Sequence, residues 1–310
     1  MSTISHRPDA RVPEQFRRLV DDAAIFPPGD APLPRAVSDH RGHLDAPYAA
    51  LVGDFVIGDA RLPELIELLR EQPAAAPLAV RVVVTGGAGS IGPAVIWANR
   101  AEEIALRGIE VALRDEADLE HNARRMVTAL DQLLADGHLD DEVPVYVEPP
   151  RLFDQAPSAS WLGALDELAA MDLRLKLRTG GVSAEAFPSS AELTSCIVAA
   201  LDRELRFKCT AGLHHALRHR DEETGFEHHG FLNVLLATRA SLDGSGPEEV
   251  AAVLDQDDTA TVRSRLEEAG AGPLVSARRW FTAFGSCSVL DPLRDLTALD
   301  LLPDLNLELT

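Results

Sequence analysis

The alternation of short β-rich runs with helix-like stretches limits the fold of this chain more than any other feature. Six runs of mainly aliphatic residues are each followed by a loop and an amphipathic stretch. The runs are Tyr48–Ile57, Ala79–Thr85, Ile109–Arg114, Val143–Glu148, Leu173–Arg178 and Leu205–Thr210. Strands separated by helices at a spacing of about thirty residues indicate βαβ units and a parallel sheet. We therefore predict an α/β fold and, within it, a TIM-type (β/α) barrel of regular or irregular form, with an open doubly wound sheet as the alternative.

The two ends of the chain differ from these central units. Near the amino terminus, Phe26–Gly29 reads Phe-Pro-Pro-Gly and two further prolines follow. Because proline removes a backbone donor, we expect residues 1–46 to form an extended segment packed on the barrel. Residues 47–310 would then form the barrel domain with extra C-terminal helices. The predicted C-terminal helices are Phe231–Leu242, Glu248–Asp255, Thr259–Ala269 and Asp291–Leu302.

Charge and composition restrict the kinds of binding partner and the cellular compartment that we expect. The 310 residues carry a formal net charge of −21, which argues against nucleic acid or an anionic membrane as the main partner. The start of the chain has no hydrophobic signal region, and no apolar run reaches the ~18 residues of a membrane span. Three scattered cysteines fit a reducing compartment. We expect a cytoplasmic protein that binds neither nucleic acid nor membrane, and we leave a homo-oligomer open.

Charged side chains share one face of several predicted strands. In the fifth run, arginines and Lys176 alternate with leucines, and Lys208 is placed in the same way in the sixth run. Because the apolar face of a barrel strand packs against the helices, the charged face would point into the lumen. The side chains expected there are Arg81, Glu148, Arg174, Lys176, Arg178, Arg206 and Lys208. Their excess of positive charge predicts a bound phosphate or carboxylate, although edge strands with a solvated charged face remain the alternative.

The two lysines of the chain are the strongest candidates for catalysis. Lysine and arginine together number 29, and only Lys176 and Lys208 are lysines, which leaves 27 arginines. A bias that replaces lysine by arginine spares positions where only a primary amine serves, since arginine cannot lose its proton at useful pH. The two lysines lie 32 residues apart at equivalent ends of consecutive strands. Active sites of parallel barrels lie at such carboxyl ends.

The segment Leu173–Leu213, with each lysine before a Thr/Gly-rich loop, resembles deoxyribose-phosphate aldolase and related class I aldolases. The resemblance implies that Lys176 forms a Schiff base and that Lys208 lowers its pKa, or the reverse. The chain departs from the family in reading Lys-Leu-Arg-Thr-Gly-Gly where Lys-Thr-Ser-Thr-Gly is typical. The resemblance to class I aldolases also implies an acidic proton relay, for which Asp115 and Glu148 are the candidates.

Over its full length the chain is similar to a group of uncharacterised bacterial proteins. The shared segments are Asp22–Pro28, Lys208–His215, His229–Asn233 and Phe284–Ser288. That second resemblance implies no activity.

These arguments predict a lyase of the class I aldolase type, without a cofactor, that acts on a small phosphorylated or carboxylated carbonyl compound. Glu148 or His214 would move protons beside the two lysines. The predicted substrate-binding residues are Arg81, Arg178, Thr179, Gly180, Thr210 and Gly212.

A cluster of histidines supports a different hypothesis. Five of the ten histidines fall between His214 and His229. A divalent metal held by His215, His228 and His229 would make the protein a metal-assisted lyase, isomerase or hydrolase. Adjacent histidines point to opposite sides of a strand, so at most one of each pair would face a metal. The third hypothesis is a non-catalytic barrel whose lysines hold an anion.

Overall fold

A closed barrel of eight parallel strands, surrounded by helices, forms the centre of the molecule. The computed structural model describes residues 12–114 and 118–302, so Asp115 lies outside the described residues. The barrel strands are β1 (Val20–Asp22), β2 (Val52–Gly58), β3 (Leu78–Val84), β4 (Ile104–Ala112), β5 (Val145–Glu148), β6 (Arg174–Arg178), β7 (Phe207–Thr210) and β10 (Phe281–Ser286). Because β1 pairs with both β2 and β10, the sheet closes. The TIM-type barrel is confirmed, and the open sheet is wrong.

The helices connect successive strands and cover the outside of the barrel. They are α1 (Leu33–Asp45), α2 (Leu62–Glu71), α3 (Ala88–Asn99), α4 (Leu119–Ala135), α5 (Ala159–Ala170), α6 (Ser190–Leu201), α7 (Phe231–Leu242), α8 (Pro247–Leu254), α9 (Thr259–Ala269), α10 (Ala271–Arg278) and α11 (Leu290–Ala298). A two-stranded antiparallel hairpin, β8 (His219–Arg220) and β9 (Glu227–His228), follows β7. The additional helices α7 to α10 therefore form one long connection between the last two barrel strands. No helix in the described parts of the chain is long and apolar enough to cross a membrane.

The prediction of an extended amino-terminal segment is wrong for its described part. Val20–Asp22 is a barrel strand, and Leu33–Asp45 is a helix. The strand is only three residues long, and two of them are aspartates, so it lacks the apolar alternation of the other runs. All three residues are buried nonetheless, because β1 closes the barrel between β2 and β10.

The predicted division of strand faces agrees with the structure at most positions. In β3, Val80, Val82 and Val84 are buried in the hydrophobic core, while Arg81 contacts residues of other strands inside the barrel. Arg206 is the exception: it precedes β7 and is exposed, so its predicted place in the lumen is wrong. The strand starts at Phe207, two residues after the start of the predicted run Leu205–Thr210, so Arg206 lies just before it.

Candidate active site

Six charged side chains occupy the middle of the barrel, where bulky apolar residues usually pack. We call them the lumen cluster, and they come from β1, β2, β3, β4, β6 and β7. The members are Asp21, Asp54, Arg81, Glu110, Lys176 and Lys208, and each is at most 6% exposed. Contacts between strands that are not neighbours in the sheet, such as β4 and β7, pass through the lumen.

Glu110 joins the two lysines. Its Oε2 lies 2.9 Å from Lys176 Nζ, and its Oε1 lies 2.5 Å from Lys208 Nζ. Lys208 also donates to Asp21 Oδ2 at 2.5 Å, and Lys176 Nζ lies 3.2 Å from Glu148 Oε2. The two amines therefore lie within hydrogen-bonding distance of one carboxylate, and Lys176 stands opposite Lys208 in the neighbouring strand.

Arg81 completes the lumen cluster from the side of β3. Its Nη2 donates to Asp54 Oδ2 at 2.7 Å, and its Nε lies 3.1 Å from Asp21 Oδ2. Gly108 on β4 makes room for this guanidinium, since a Cβ there would come within 2.4 Å of Arg81 Nη1. Arg81 is thus bound by carboxylates deep in the barrel and is not among the residues that line the cavity described below. Its predicted role in holding a substrate anion does not match this position.

The lumen cluster is neutral rather than positive. Three carboxylates (Asp21, Asp54, Glu110) balance three cations, because buried charges are strongly unfavourable unless they are paired. The prediction of excess positive charge is therefore wrong. Glu110 lay within the predicted run Ile109–Arg114 and alternates with buried Ile109 and Val111, so the same face argument would have found it. Asp21 gave no such signal, because β1 had not been predicted.

The electrostatics of the lumen cluster hold both partners in their charged forms. Burial by itself lowers the pKa of Lys176, but the carboxylates of Glu110 and Glu148 raise it more, and the pKa lies above its ordinary value. Burial raises the pKa of Glu110, yet Lys176, Lys208 and Arg81 bring it well below its usual range. Lys176 is therefore an ammonium at pH 7 in the free protein. The raised pKa differs from the lowered pKa that the aldolase resemblance implies.

A cavity of about 290 Å³ lies above the lumen cluster, at the carboxyl ends of the strands. Its polar lining comes from β4, β6, β7 and the residues that follow them: Glu110, Lys176, Arg178, Lys208, Thr210 and His214. Five of these six residues were predicted for the site from the sequence, and Glu110 was not. The position fits the general rule for active sites in parallel barrels.

The loops after β6 and β7 support the cavity and account for the other predicted residues. Arg178 Nε donates to Glu148 Oε1 at 2.6 Å, so Glu148 connects Arg178 with Lys176. The fully buried Thr179 donates its hydroxyl to the carbonyl of Ala211 at 2.6 Å.

Gly180 and Gly212 pack backbone against backbone, since a Cβ on Gly180 would lie 2.7 Å from the Cα of Gly212. Together with Thr179, these two glycines therefore fasten one loop to the other and do not line the cavity.

His214 is held in one tautomer by Ser286. The Ser286 hydroxyl donates its only proton to the carbonyl of Ser288 at 2.7 Å and accepts the Ser288 N–H at 3.2 Å. Since His214 Nδ1 lies 3.0 Å from the same oxygen, Nδ1 must carry the proton that makes this hydrogen bond. Burial lowers the pKa of His214 to about 4, so the ring is neutral at pH 7. Nε2 then holds a lone pair, 3.9 Å from Cys287 Sγ, which suits a proton acceptor.

Of the remaining histidines in this segment, His215, His219 and His228 are in ring contact, with centroids 4.7 Å and 5.0 Å apart, while His229 lies apart from them. His215 Nδ1 is 3.1 Å from Asp295 Oδ2, His228 packs its ring 5.0 Å from that of His219, and buried His229 places Nε2 2.9 Å from the carbonyl of Pro188. His228, the last residue of β9, and His229, which follows it, thus contact different partners. Within residues 12–114 and 118–302, no three His, Cys, Asp or Glu side chains are grouped as metal ligands.

No protein-family model, curated protein or solved structure matches this chain. The resemblances to class I aldolases and to a bacterial protein group therefore stay predictions. The function has to be inferred from the residues of the cavity and the lumen cluster.

Proposed function

We propose that the protein is a barrel enzyme that acts on a small carbonyl compound through the amine of Lys176 or Lys208, in a lyase or aldolase type of reaction. One observation carries the proposal: the two lysines share the carboxylate of Glu110 in the wall of a cavity at the carboxyl ends of the strands. Such an arrangement places a nucleophile, a second cation and the carboxylate that stabilises both at one point.

A Schiff base at either lysine leaves the charge of the lumen cluster unchanged. The neutral amine attacks the carbonyl carbon, and one of its N–H protons passes to the oxygen. The acceptor then returns the proton that it took from the ammonium, so the oxygen leaves as water and the product is a protonated imine with one positive charge. The imine replaces an ammonium of the same charge beside Glu110, so no buried carboxylate loses its partner. Carboxylates that stabilise the ammonium therefore also stabilise the covalent intermediate.

The amine must lose its proton before it can react, and the surroundings offer acceptors. The raised pKa of Lys176 means that this proton does not leave spontaneously at pH 7. Glu148 lies 3.2 Å from Lys176 Nζ, and the neutral ring of His214 lines the same cavity. We propose these two groups as the proton acceptors, with Arg178 holding a carboxylate or phosphate of the substrate at the rim.

Reductive trapping tests the proposal. The protein is incubated with ethanal, pyruvate or glyceraldehyde 3-phosphate between pH 6 and pH 9, reduced with borohydride and mapped by mass spectrometry. Since the chain has two lysines, a modified peptide identifies the reacting amine apart from the α-amino group. We expect an adduct at Lys176 or Lys208. Modification of the α-amino group alone, with every carbonyl compound, would contradict the proposal.

The alternative of a non-catalytic anion-binding barrel has one observation in its favour. A lysine with a raised pKa, such as Lys176, holds its charge at pH 7, and this suits ion binding better than nucleophilic attack. The neutral lumen cluster argues against it, because every buried cation there already has a carboxylate partner. If the alternative holds, phosphate will bind with an affinity that depends on Arg178, and no carbonyl compound will form an adduct.

A further inference from the structure

One side of the cavity carries its charged groups, although Val182, Ala211 and Cys287 line it too, and the other side is entirely apolar. The strands β4, β6 and β7 supply the charged and hydroxyl groups named above, while the segment after β1 and the strands β2 and β3 supply an apolar surface. That surface consists of Ala23, Phe26, Pro27, Val56 and Val83. Because β1 to β3 are neighbours in the barrel, these side chains form one continuous patch opposite the lysines.

The size of the cavity limits the ligand. A volume of about 290 Å³ compares with roughly 30 Å³ per water molecule in the liquid, which gives room for about ten non-hydrogen atoms. A ligand of that size, with its carbonyl at the lysines, extends its remaining atoms onto the apolar patch.

The apolar patch also limits the chemistry of the ligand. The side chains of Phe26, Val56 and Val83 offer no hydrogen-bond donor or acceptor, so hydroxyl groups placed against them would lose their water without replacement. A polyhydroxylated sugar phosphate therefore fits the cavity poorly. Carbon chains fit it well, since burial of each methylene is favourable.

We infer that the ligand is a short amphipathic carbonyl compound, with its carbonyl at the lysines and an unsubstituted carbon chain against Phe26, Val56 and Val83. The position of the carbonyl rests on the proposed function, whereas the position of the chain rests on the cavity alone. The inference narrows the substrate class from small carbonyl compounds in general to those with an apolar tail.

A series of straight-chain aldehydes tests the inference. The concentration of ethanal, propanal, butanal or pentanal that gives half-maximal trapping should fall about fourfold per added methylene, from the usual free energy of burying one such group. Glyceraldehyde 3-phosphate should be trapped less well than butanal. Val83→Thr and Val56→Thr, which replace one methyl by a hydroxyl of similar size, should flatten the series. The matched control is Val127→Thr on helix α4, which should leave the series as in the wild type.

A second arm separates this inference from the proposed function. Primary amides of the same chain lengths cannot form an imine, and saturation-transfer NMR detects their binding. Binding that strengthens with chain length and weakens in Val83→Thr supports the apolar tail even if no aldehyde forms an adduct. A flat amide series, or strongest trapping with glyceraldehyde 3-phosphate, would overturn the inference. Strongest trapping with glyceraldehyde 3-phosphate would still be consistent with the proposed reaction at the lysines.

Discussion

Replacing Glu110 by glutamine should destabilise the protein, because this carboxylate is the shared partner of both lysines. Its oxygens lie 2.9 Å from Lys176 Nζ and 2.5 Å from Lys208 Nζ, and the side chain is 2% exposed. Glutamine keeps the shape and one acceptor oxygen but removes the charge. The lumen cluster then holds three cations against two carboxylates.

The expected magnitude follows from the burial of these charges. Removing one partner of a buried ion pair costs about 3–5 kcal/mol, and the retained amide oxygen favours the lower value, about 3 kcal/mol at pH 7. With a urea dependence of about 3 kcal/mol per molar, the unfolding midpoint should fall by about 1 M. Circular dichroism of both proteins in urea measures the shift.

The pH dependence supplies an independent check with a fixed sign. The folded-state pKa values of Glu110 and Asp21 are lowered, so their stabilisation is present above the unfolded pKa values near 4 and is lost as pH falls through the folded ones. As pH falls, the wild type should therefore lose stability more steeply than Glu110→Gln. The difference in the free energy of unfolding between the two proteins should become smaller.

The matched control is Glu64→Gln, whose exposed pair with Arg61 should contribute less than about 0.5 kcal/mol. A loss below about 1 kcal/mol in Glu110→Gln, with an unchanged acid slope, would refute the charge assignment.

Three further perturbations follow from the same geometry. Lys176→Met should lower the urea midpoint of unfolding at pH 7. Since the pKa of Lys176 is raised in the folded protein, this loss of stability should persist up to about pH 10 and shrink above it. A gain in stability would contradict the raised pKa. Arg178→Lys keeps the charge but loses the planar guanidinium, and the Arg178 side chain is 39% exposed. The substitution should therefore weaken pyruvate binding, measured by calorimetry, more than it lowers the melting temperature. A lower melting temperature with unchanged pyruvate binding would make Arg178 a structural partner of Glu148. Nitrogen-15 NMR should show His214 protonated on Nδ1 at pH 7 and uncharged down to pH 5, with mixed tautomers in Ser286→Ala; an Nε2-protonated ring in the wild type would be incompatible with the hydrogen bonds of Ser286.

The barrel could be predicted because six of its strands carry a strong local pattern. β6 alternates leucine with charged residues, and β3 alternates valine with Arg81 and Val83, so both the strands and their inward faces follow from spacing alone. β1 could not be found in this way. It is three residues long, carries Asp21 and Asp22, and owes its conformation to pairing with β2 and β10.

The lysines and Glu148 could be predicted for the site, but the pairing of the lysines with carboxylates across the lumen could not. Alternation indicates which face a side chain occupies, whereas it does not indicate what lies across the lumen. Lys208 and Asp21 are 187 residues apart in sequence and meet only because the barrel closes. The carboxylates change the electrostatics from an anion-attracting lumen to a neutral one, and therefore reverse the expected shift in the pKa of Lys176.

The central claim is that the amine of Lys176 or Lys208 reacts with a carbonyl compound inside the barrel. Intact-mass spectrometry after butanal and borohydride treatment of the wild type, Lys176→Arg, Lys208→Arg and the double variant tests it most directly. Each substitution keeps a positive charge beside Glu110, so the variants should fold. Circular dichroism of the same samples checks their folding. We predict one adduct in the wild type, its loss in one single variant, and its absence in the double variant. An equal adduct in all four proteins would contradict the account, since the reacting amine would then lie outside the lumen.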